Sequence, residues 1–211
     1  MERMLKKRVV PVAVIDRTED AVPLAKALQD GGLDIIEVTF RTPAAADCVH
    51  LIKQAFPQML VGAGTLLEAD HVKQAKAAGA QFGVAPGLNE TVVQQAQELG
   101  LPFIPGVATA SEVERALALG CKLLKLYPAD VIGGVKLVKA FTGPYAHTGV
   151  KFIPLGGINA LTAPDYLVLP IVAAVGGSWL CEKRLIAEKN WGEITRLTEK
   201  ALAIAAHTKP A

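Results

Sequence analysis

Short apolar runs alternate with amphipathic stretches along the chain. The runs are almost continuously hydrophobic, which is typical of parallel strands buried on both faces. The pattern predicts eight strands, at Val9–Ile15, Ile35–Thr39, Leu60–Ala63, Phe82–Ala85, Phe103–Pro105, Leu123–Leu126, Phe152–Leu155 and Ile171–Val175. Between them, apolar residues recur at helical spacing, and several stretches end at a glycine, as helices commonly do. The predicted helices are Asp20–Asp30, Ala44–Phe56, Ala69–Ala78, Glu90–Leu99, Ser111–Leu119, Val135–Phe141, Leu161–Leu169 and Trp191–Ala206.

This alternation predicts an α/β fold whose parallel sheet is covered by helices. The short repeat without linkers favours a single-domain (β/α)8 TIM barrel over residues 1–211, with a short N-terminal helix. The alternative is an open doubly wound sheet. That fold would favour a glycine-rich dinucleotide motif in the first strand–helix turn, and the sequence lacks one there.

Composition narrows the possible partners and the cellular compartment. Hydrophobic residues make up 51% of the chain and the net charge is only +2, so nothing indicates binding to nucleic acid or to an anionic membrane. No apolar run approaches the roughly 18 residues of a membrane span, and the N-terminus has no signal-peptide pattern. The three cysteines are far apart in sequence, which suits a reducing cytoplasm. Apolar surface left over suggests helix faces buried between subunits.

Two ionisable residues interrupt apolar strands. Lys125 lies within Leu123–Leu126 and Glu37 within Ile35–Thr39. A charged group there costs several kcal/mol unless it is paired or neutralised. Both strands are even-numbered, so their side chains can share one layer inside a barrel. Either the two residues form a structural ion pair, or Lys125 is a nucleophile with Glu37 as a nearby acid/base; their position at the active end of one barrel favours catalysis.

Glycine pairs follow the seventh and eighth predicted strands, at Gly156-Gly157 and Gly176-Gly177-Ser178. In barrel enzymes these two loops often bind phosphate through backbone N–H groups. Ordinary tight turns also favour glycine, so either pair alone is weak evidence. Glycine pairs in both loops together indicate a phosphate site. Arg41, at the start of a loop after the second strand, could bind a carboxylate, and Thr65 could add a hydroxyl.

Metal-assisted chemistry is not expected. The four histidines fall in helices or loops away from the strand ends, and no carboxylate accompanies them in a metal-binding pattern.

These motifs together resemble the 2-keto-3-deoxy-6-phosphogluconate (KDPG) / 4-hydroxy-2-oxoglutarate aldolases, a family of class I lyases. The resemblance runs from about Val9 to the last helix. It rests on Glu37–Thr42, Gly62–Thr65, Pro86–Leu88, Pro105-Gly106, Lys125–Ala129, Gly133–Lys136, Gly156–Ile158 and Gly176–Trp179. It implies a (β/α)8 barrel, a homotrimer, a phosphorylated sugar acid or other 2-keto acid as substrate, and neither metal nor cofactor.

The resemblance also implies a role for each site residue. Lys125 is similar to the Schiff-base lysine and Glu37 to the general acid/base. Arg41 and Thr65 match the pocket for the pyruvyl carboxylate, while Pro86 and Tyr127 match the apolar wall beside the imine. The positions that match the phosphate site are Gly156, Gly157, Gly177 and Ser178.

One position departs from the pattern. Relatives that act on the gluconate-derived substrate usually have threonine before the first glycine pair, where this chain has Leu155. An apolar residue there is typical of the galactonate-derived relatives, so a preference for that C4 epimer stays open. Other rivals are a phosphosugar epimerase or isomerase and a non-catalytic phosphate-sugar binding barrel, which would release no aldehyde.

Overall fold

The computed structural model describes residues 2–209, so Met1, Pro210 and Ala211 of the predicted domain lie outside the described residues. The described part contains nine strands, and every pairing between them is parallel. The strands are β1 (Val9–Ala13), β2 (Ile35–Thr39), β3 (Leu60–Gly64), β4 (Phe82–Val84), β5 (Phe103–Ile104), β6 (Gly106–Val107), β7 (Leu123–Leu126), β8 (Lys151–Pro154) and β9 (Val175–Gly177).

Helices follow most of these strands. They are α1 (Glu2–Lys7), α2 (Ala21–Asp30), α3 (Ala45–Ala55), α4 (Ala69–Ala77), α5 (Glu90–Glu98), α6 (Ala110–Ala118), α7 (Gly134–Tyr145), α8 (Ala163–Leu167), α9 (Lys183–Ala187) and α10 (Trp191–His207), with short 3-10 turns at Thr18–Asp20 and Ala146–Thr148. The N-terminal helix predicted from the sequence is therefore present as α1.

The sheet order curls the chain back toward its start. One sheet has the order β5-β4-β3-β2-β1-β9 and a second has the order β6-β7-β8. The first strand thus pairs with the last, as a curled sheet requires. Two backbone contacts lie between these sheets. Lys125 N–H donates to the C=O of Pro105, the residue between β5 and β6, at 2.9 Å, and Phe152 of β8 forms a parallel bridge with Val172, which precedes β9.

The fifth predicted strand, Phe103–Pro105, is divided into β5 and β6. Pro105 has no N–H to donate to the ladder, so regular pairing is interrupted at this residue. The Pro105 carbonyl still accepts a hydrogen bond from the Lys125 N–H. This bond links β7, the strand that carries the lysine, to the break between β5 and β6.

The eighth strand lies later than predicted. The sequence predicted Ile171–Val175, whereas β9 runs from Val175 to Gly177, so Gly176 and Gly177 belong to the strand rather than to the loop after it. A Cβ on Gly176 would lie only 2.8 Å from Leu155 Cγ. Glycine is used here because a neighbouring side chain fills its space, which apolar patterning does not reveal.

Helix boundaries differ from prediction near prolines. The predicted helix Leu161–Leu169 shrinks to α8, which has Pro164 at its start and Pro170 shortly after its end. Helix α7 instead extends beyond the predicted Val135–Phe141 and contains Pro144. Helix α9 lies in a stretch for which the sequence predicted no helix.

Helix α1 closes the amino ends of the strands beneath the site. Met4 of this helix is fully buried and lies in one apolar cluster with Val10 and Phe82. Burying a methionine side chain of this kind contributes about 1.5–3 kcal/mol. Met4 and Phe82 line a very small cavity whose other walls include Glu37 and Lys125, so the apolar core extends directly under the two ionisable groups.

Candidate active site

The strands bring Glu37 and Lys125 together inside the curled sheet. Lys125 is the third residue of β7 and Glu37 the third of β2, and both are buried, at 5% and 2% exposure. Their Nζ and Oε1 atoms lie 3.9 Å apart. This separation exceeds the roughly 2.7–2.9 Å of a charge-assisted hydrogen bond. The amine is therefore close to the carboxyl group without being locked to it.

Burial controls the protonation of Glu37. Desolvation raises the pKa of this carboxyl, while the nearby positive charges of Lys125 and Arg41 act in the opposite direction. Within residues 2–209, the buried Oε1 atom has no hydrogen-bond partner. Both observations favour a carboxyl that retains its proton to a higher pH than usual and is free to exchange it with a ligand.

A cavity of about 350 Å³ opens above this pair at the carboxyl ends of the strands. It collects the predicted site residues from strands and loops that are far apart in sequence. Its lining comprises Val12, Glu37, Thr39, Arg41, Thr65, Pro86, Lys125, Tyr127, Leu155, Gly156, Gly177 and Ser178. All the predicted site residues except Gly157 are therefore in one cavity.

Thr65 has a strained backbone at the edge of the cavity. Its φ of 60° is in the left-handed region, which is a true outlier for a β-branched residue. Such a conformation costs about 1–3 kcal/mol and persists where the surrounding structure enforces it. The strain is consistent with a functional position for the residue in the cavity lining.

Tyr127 forms part of the wall beside the lysine. Lys125 Nζ lies 5.1 Å from the centroid of the Tyr127 ring. Tyr127 is 39% exposed, so it is only partly buried where it lines the cavity. An aromatic wall of this kind limits the access of water to the nitrogen.

Gly157 occupies a different environment from the other predicted phosphate-site glycines. It has a φ of 79°, and a Cβ at this position would lie 2.4 Å from Asp130 Cβ. The side chain of Asp130 thus explains this glycine sterically. The neighbouring Gly156, with φ of 92°, does line the cavity and lies against Pro128.

A match to a family model decides the classification of this chain. The model described as "Aldolase: KDPG and KHG aldolase" matches residues 1–197. The chain belongs to the KDPG and KHG aldolase family. It is accordingly an aldolase, a lyase that breaks a carbon–carbon bond.

Similar aldolases cover nearly the whole chain. The 2-dehydro-3-deoxy-phosphogluconate aldolase of Haemophilus influenzae is 43% identical over 204 residues, which is 97% of this chain and 95% of that protein. The KDPG aldolase of Legionella pneumophila, crystallised with pyruvate as a covalent carbinolamine intermediate, superposes with a TM-score of 0.91 at 41% identity, covering 94% of this chain and 96% of the other. The Zymomonas mobilis enzyme with 3-phosphoglycerate has a TM-score of 0.87 at 38% identity, covering 100% and 96%.

Two residues that line this cavity received no role from sequence reasoning. Val12 and Thr39 both line the cavity, and the buried Thr39 hydroxyl donates to the Ala13 carbonyl at 3.1 Å. The sequence places Thr39 with Glu37 and Arg41 at the end of the second strand, and because it follows Glu37 by two residues it faces the same side of β2. Val12 could have been found only from its pairing with Glu37 across β1 and β2.

In the part of the chain that the structure describes, no three His, Cys, Asp or Glu side chains come together as a metal site would require. None of the helices in residues 2–209 has the length and apolar character needed to cross a bilayer.

Proposed function

We propose that this aldolase cleaves KDPG to pyruvate and D-glyceraldehyde 3-phosphate, and 4-hydroxy-2-oxoglutarate to pyruvate and glyoxylate, through a Schiff base on Lys125. The observation that carries the proposal is a buried amine at the base of a cavity, 3.9 Å from a carboxyl whose pKa is raised by burial. The covalent carbinolamine described for the Legionella pneumophila enzyme supports the same chemistry here.

In the first stage, unprotonated Lys125 attacks the C2 ketone and forms a carbinolamine. Protonated Glu37 then donates to the C2 hydroxyl, which leaves as water, and the nitrogen lone pair forms the iminium. Glu37 suits this step because burial raises the pKa of its carboxyl, and its Oε1 atom lies 3.9 Å from Lys125 Nζ, a gap that one substrate group or water can bridge.

In the second stage, the iminium accepts electrons from the C3–C4 bond. Glu37, now ionised, takes the proton of the C4 hydroxyl, directly or through a water, so that the aldehyde leaves as the bond breaks. The remaining enamine takes at C3 the proton that Glu37 removed from the C4 hydroxyl, which gives an iminium and returns Glu37 to its ionised form. Water then adds to the iminium carbon, Glu37 takes the proton released, and collapse of the carbinolamine releases pyruvate and the amine of Lys125.

The rest of the cavity suits the two ends of the substrate. We assign Arg41 and Thr65 to the pyruvyl carboxylate, because a guanidinium binds a carboxylate bidentately, and Pro86 and Tyr127 to the wall beside the imine. The phosphate is assigned to Gly156, Gly157, Gly177 and Ser178. Holding it far from the reacting bond would orient the substrate and lower the barrier.

The same proposal covers the assembly. We propose that residues 1–211 form one domain, that the curled sheet closes into a (β/α)8 barrel, and that the protein is a homotrimer. Pairing of the first strand with the last supports closure. All three cysteines are free and buried, which supports a reducing compartment, the cytoplasm.

A coupled assay for pyruvate release tests the function. It should be run on KDPG, on its C4 epimer derived from galactonate and on 4-hydroxy-2-oxoglutarate, each with and without EDTA. We expect pyruvate from KDPG at a rate that EDTA does not change. Absence of pyruvate from all three substrates would reject the proposal.

One residue favours a second candidate. Leu155 lines the cavity and has no hydroxyl with which to bind the substrate chain. The alternative is therefore the same chemistry with a preference for the galactonate-derived epimer, and a higher kcat/KM for that epimer in this assay would establish it. Replacement of Leu155 by threonine should then shift the preference toward KDPG.

A further inference from the structure

The carboxyl of Glu37 lies against a strand that has no side chain at the point of contact. Gly64 ends β3, and a Cβ built on it would lie 2.1 Å from Glu37 Oε1 and 2.8 Å from both Cγ and Cδ. Heavy atoms do not approach a Cβ so closely. A methyl group at Gly64 and the observed position of the Glu37 side chain therefore exclude one another.

The backbone does not require glycine at this position. The φ angle of Gly64 is outside the left-handed region, so alanine could adopt the same conformation. The nearby Gly62 has a different explanation, because a Cβ there would lie 2.2 Å from the ring of Phe82. Among the described glycines, Gly64 is the one whose nearest atoms all belong to Glu37.

The strand register shows the direction in which Glu37 extends. Its backbone is opposite Gly62, whereas its carboxyl reaches Gly64, two residues nearer the carboxyl end of β3. The side chain therefore leans along the sheet toward the cavity. Space over Gly64 is what allows this conformation.

We propose that Gly64 is a positioning residue for the reaction. The missing side chain lets the Glu37 carboxyl lie at the base of the cavity, where its Oε1 is 3.9 Å from Lys125 Nζ. The inference rests on the proposed role of Glu37 as acid/base. A methyl group at residue 64 would displace the carboxyl while leaving the amine and the open part of the cavity in place.

The variant Gly64→Ala tests this with KDPG as substrate. We expect kcat to fall by about 100-fold, within the range of general acid–base catalysis, and KM to change by less than about threefold because Arg41 and Thr65 remain. The matched control is Gly87→Ala, which adds a methyl group where no atom of the described chain lies within 4 Å. The control should keep the activity of the parent.

A double-mutant cycle separates positioning from general damage. In Glu37→Ala the carboxyl is absent, so the added methyl of Gly64→Ala has space and should lower the residual kcat by less than about twofold. An equal loss in both backgrounds would overturn the proposal. Full activity of Gly64→Ala in the parent would overturn it as well.

A readout without turnover distinguishes this inference from the proposed function. The melting temperature is measured against pH for the parent and for Glu37→Gln, and the difference between the two reports on the buried carboxyl. In the Gly64→Ala background this difference should depend less on pH, because the carboxyl is displaced toward solvent. An unchanged difference would contradict positioning by Gly64. This result holds whether or not the protein releases pyruvate from the substrates tested.

Discussion

Single residues set the chemistry through protonation. A carboxyl that is removed from water favours its neutral form, and the opposing Coulombic effects of Lys125 and Arg41 do not cancel the rise that burial gives to the pKa of Glu37. A carboxyl that keeps its proton to a higher pH than usual is a weaker counter-ion for Lys125. The 3.9 Å separation and the unpartnered Oε1 agree with this interpretation among the described residues.

The raised pKa of Glu37 leads to a stability prediction. Because the folded state holds this proton more tightly than the unfolded state, the stability that it contributes is complete below the usual value of 4.5 and is lost as pH rises through the folded pKa. Glu37→Gln has no proton to lose there. The melting temperature of the variant, relative to the parent, should therefore increase with pH above about 4.5.

Differential scanning calorimetry at a series of pH values provides the measurement. The same substitution in a Lys125→Met background shows how much of the effect depends on the amine. Parallel profiles of parent and Glu37→Gln across the range would mean that Glu37 ionises normally in the folded protein.

Candidate functional residues could be predicted from the sequence where a side chain differs in character from its neighbours. Lys125 and Glu37 are conspicuous because each interrupts an apolar strand. The contact between Glu37 and Gly64 could not be predicted, since it depends on the conformation of one side chain and on strand register. The environment of Gly157 could not be predicted either, because it depends on the Asp130 side chain from another loop.

At the scale of elements, the end of β9 is shaped by an aromatic ring. A Cβ on Gly177 would lie 2.4 Å from Cε3 and Cζ3 of Trp179. The buried Trp179 Nε1 has no hydrogen-bond partner among the described residues, so the indole is held by packing. The ring thereby supports the backbone of the proposed phosphate site from behind.

Gly177→Ala should therefore affect the phosphate end of the substrate selectively. Displacement of the ring and backbone should raise KM for KDPG about tenfold, which corresponds to the loss of one hydrogen bond to a charged group. KM for 4-hydroxy-2-oxoglutarate, which has no phosphate, should stay within twofold. Gly143→Ala, whose added methyl meets no described atom within 4 Å, is the control, and an equal rise for both substrates would argue against a phosphate site here.

The start of α6 illustrates an element fixed by its own sequence. Thr109 Oγ1 accepts from the Glu112 N–H, and the Glu112 carboxylate accepts from the Thr109 N–H, which together form a capping box. Thr109→Ala should lower the free energy of unfolding by about 1 kcal/mol in urea titrations and leave kcat unchanged. The control is Ser111→Ala, which changes the second residue of α6. A similar loss of unfolding free energy in both variants would exclude the capping box as the cause.

Element prediction succeeded where periodicity is strong and was wrong where packing decides. Strand β2 matches its predicted bounds because both faces are buried and the run is apolar apart from Glu37. Strand β9 was misplaced since its glycines resemble a turn, although Leu155 and Trp179 occupy the space that their side chains would need. Short α9 has too few residues for helical spacing to be evident.

At the scale of the whole molecule, the chain is organised by the return of its last strand to its first. Val9 pairs with Val175, so strand–helix units from the entire sequence contribute to one cavity. The strand–helix repeats in the sequence predicted this α/β fold with a parallel sheet, while closure of the sheet into a (β/α)8 barrel is part of the proposal. The interruption of strand pairing at Pro105 could not be predicted from the number of repeats.

The proposed trimer predicts a mass in solution. Light scattering coupled to size-exclusion chromatography should give three times the 22.2 kDa of the chain, independent of loading concentration in the micromolar range. A mass equal to that of one chain, with full activity, would show that the assembly is not needed for catalysis and would reject the homotrimer.

The central claim is that Lys125 forms a covalent bond with the keto acid, and reductive trapping tests it most directly. Protein incubated with pyruvate and sodium borohydride should gain the mass of one reduced pyruvyl adduct, lose activity, and carry the adduct on the peptide that contains Lys125. Lys125→Arg is the matched control and should not be labelled. An active protein whose Lys125 stays unmodified under these conditions would contradict the account.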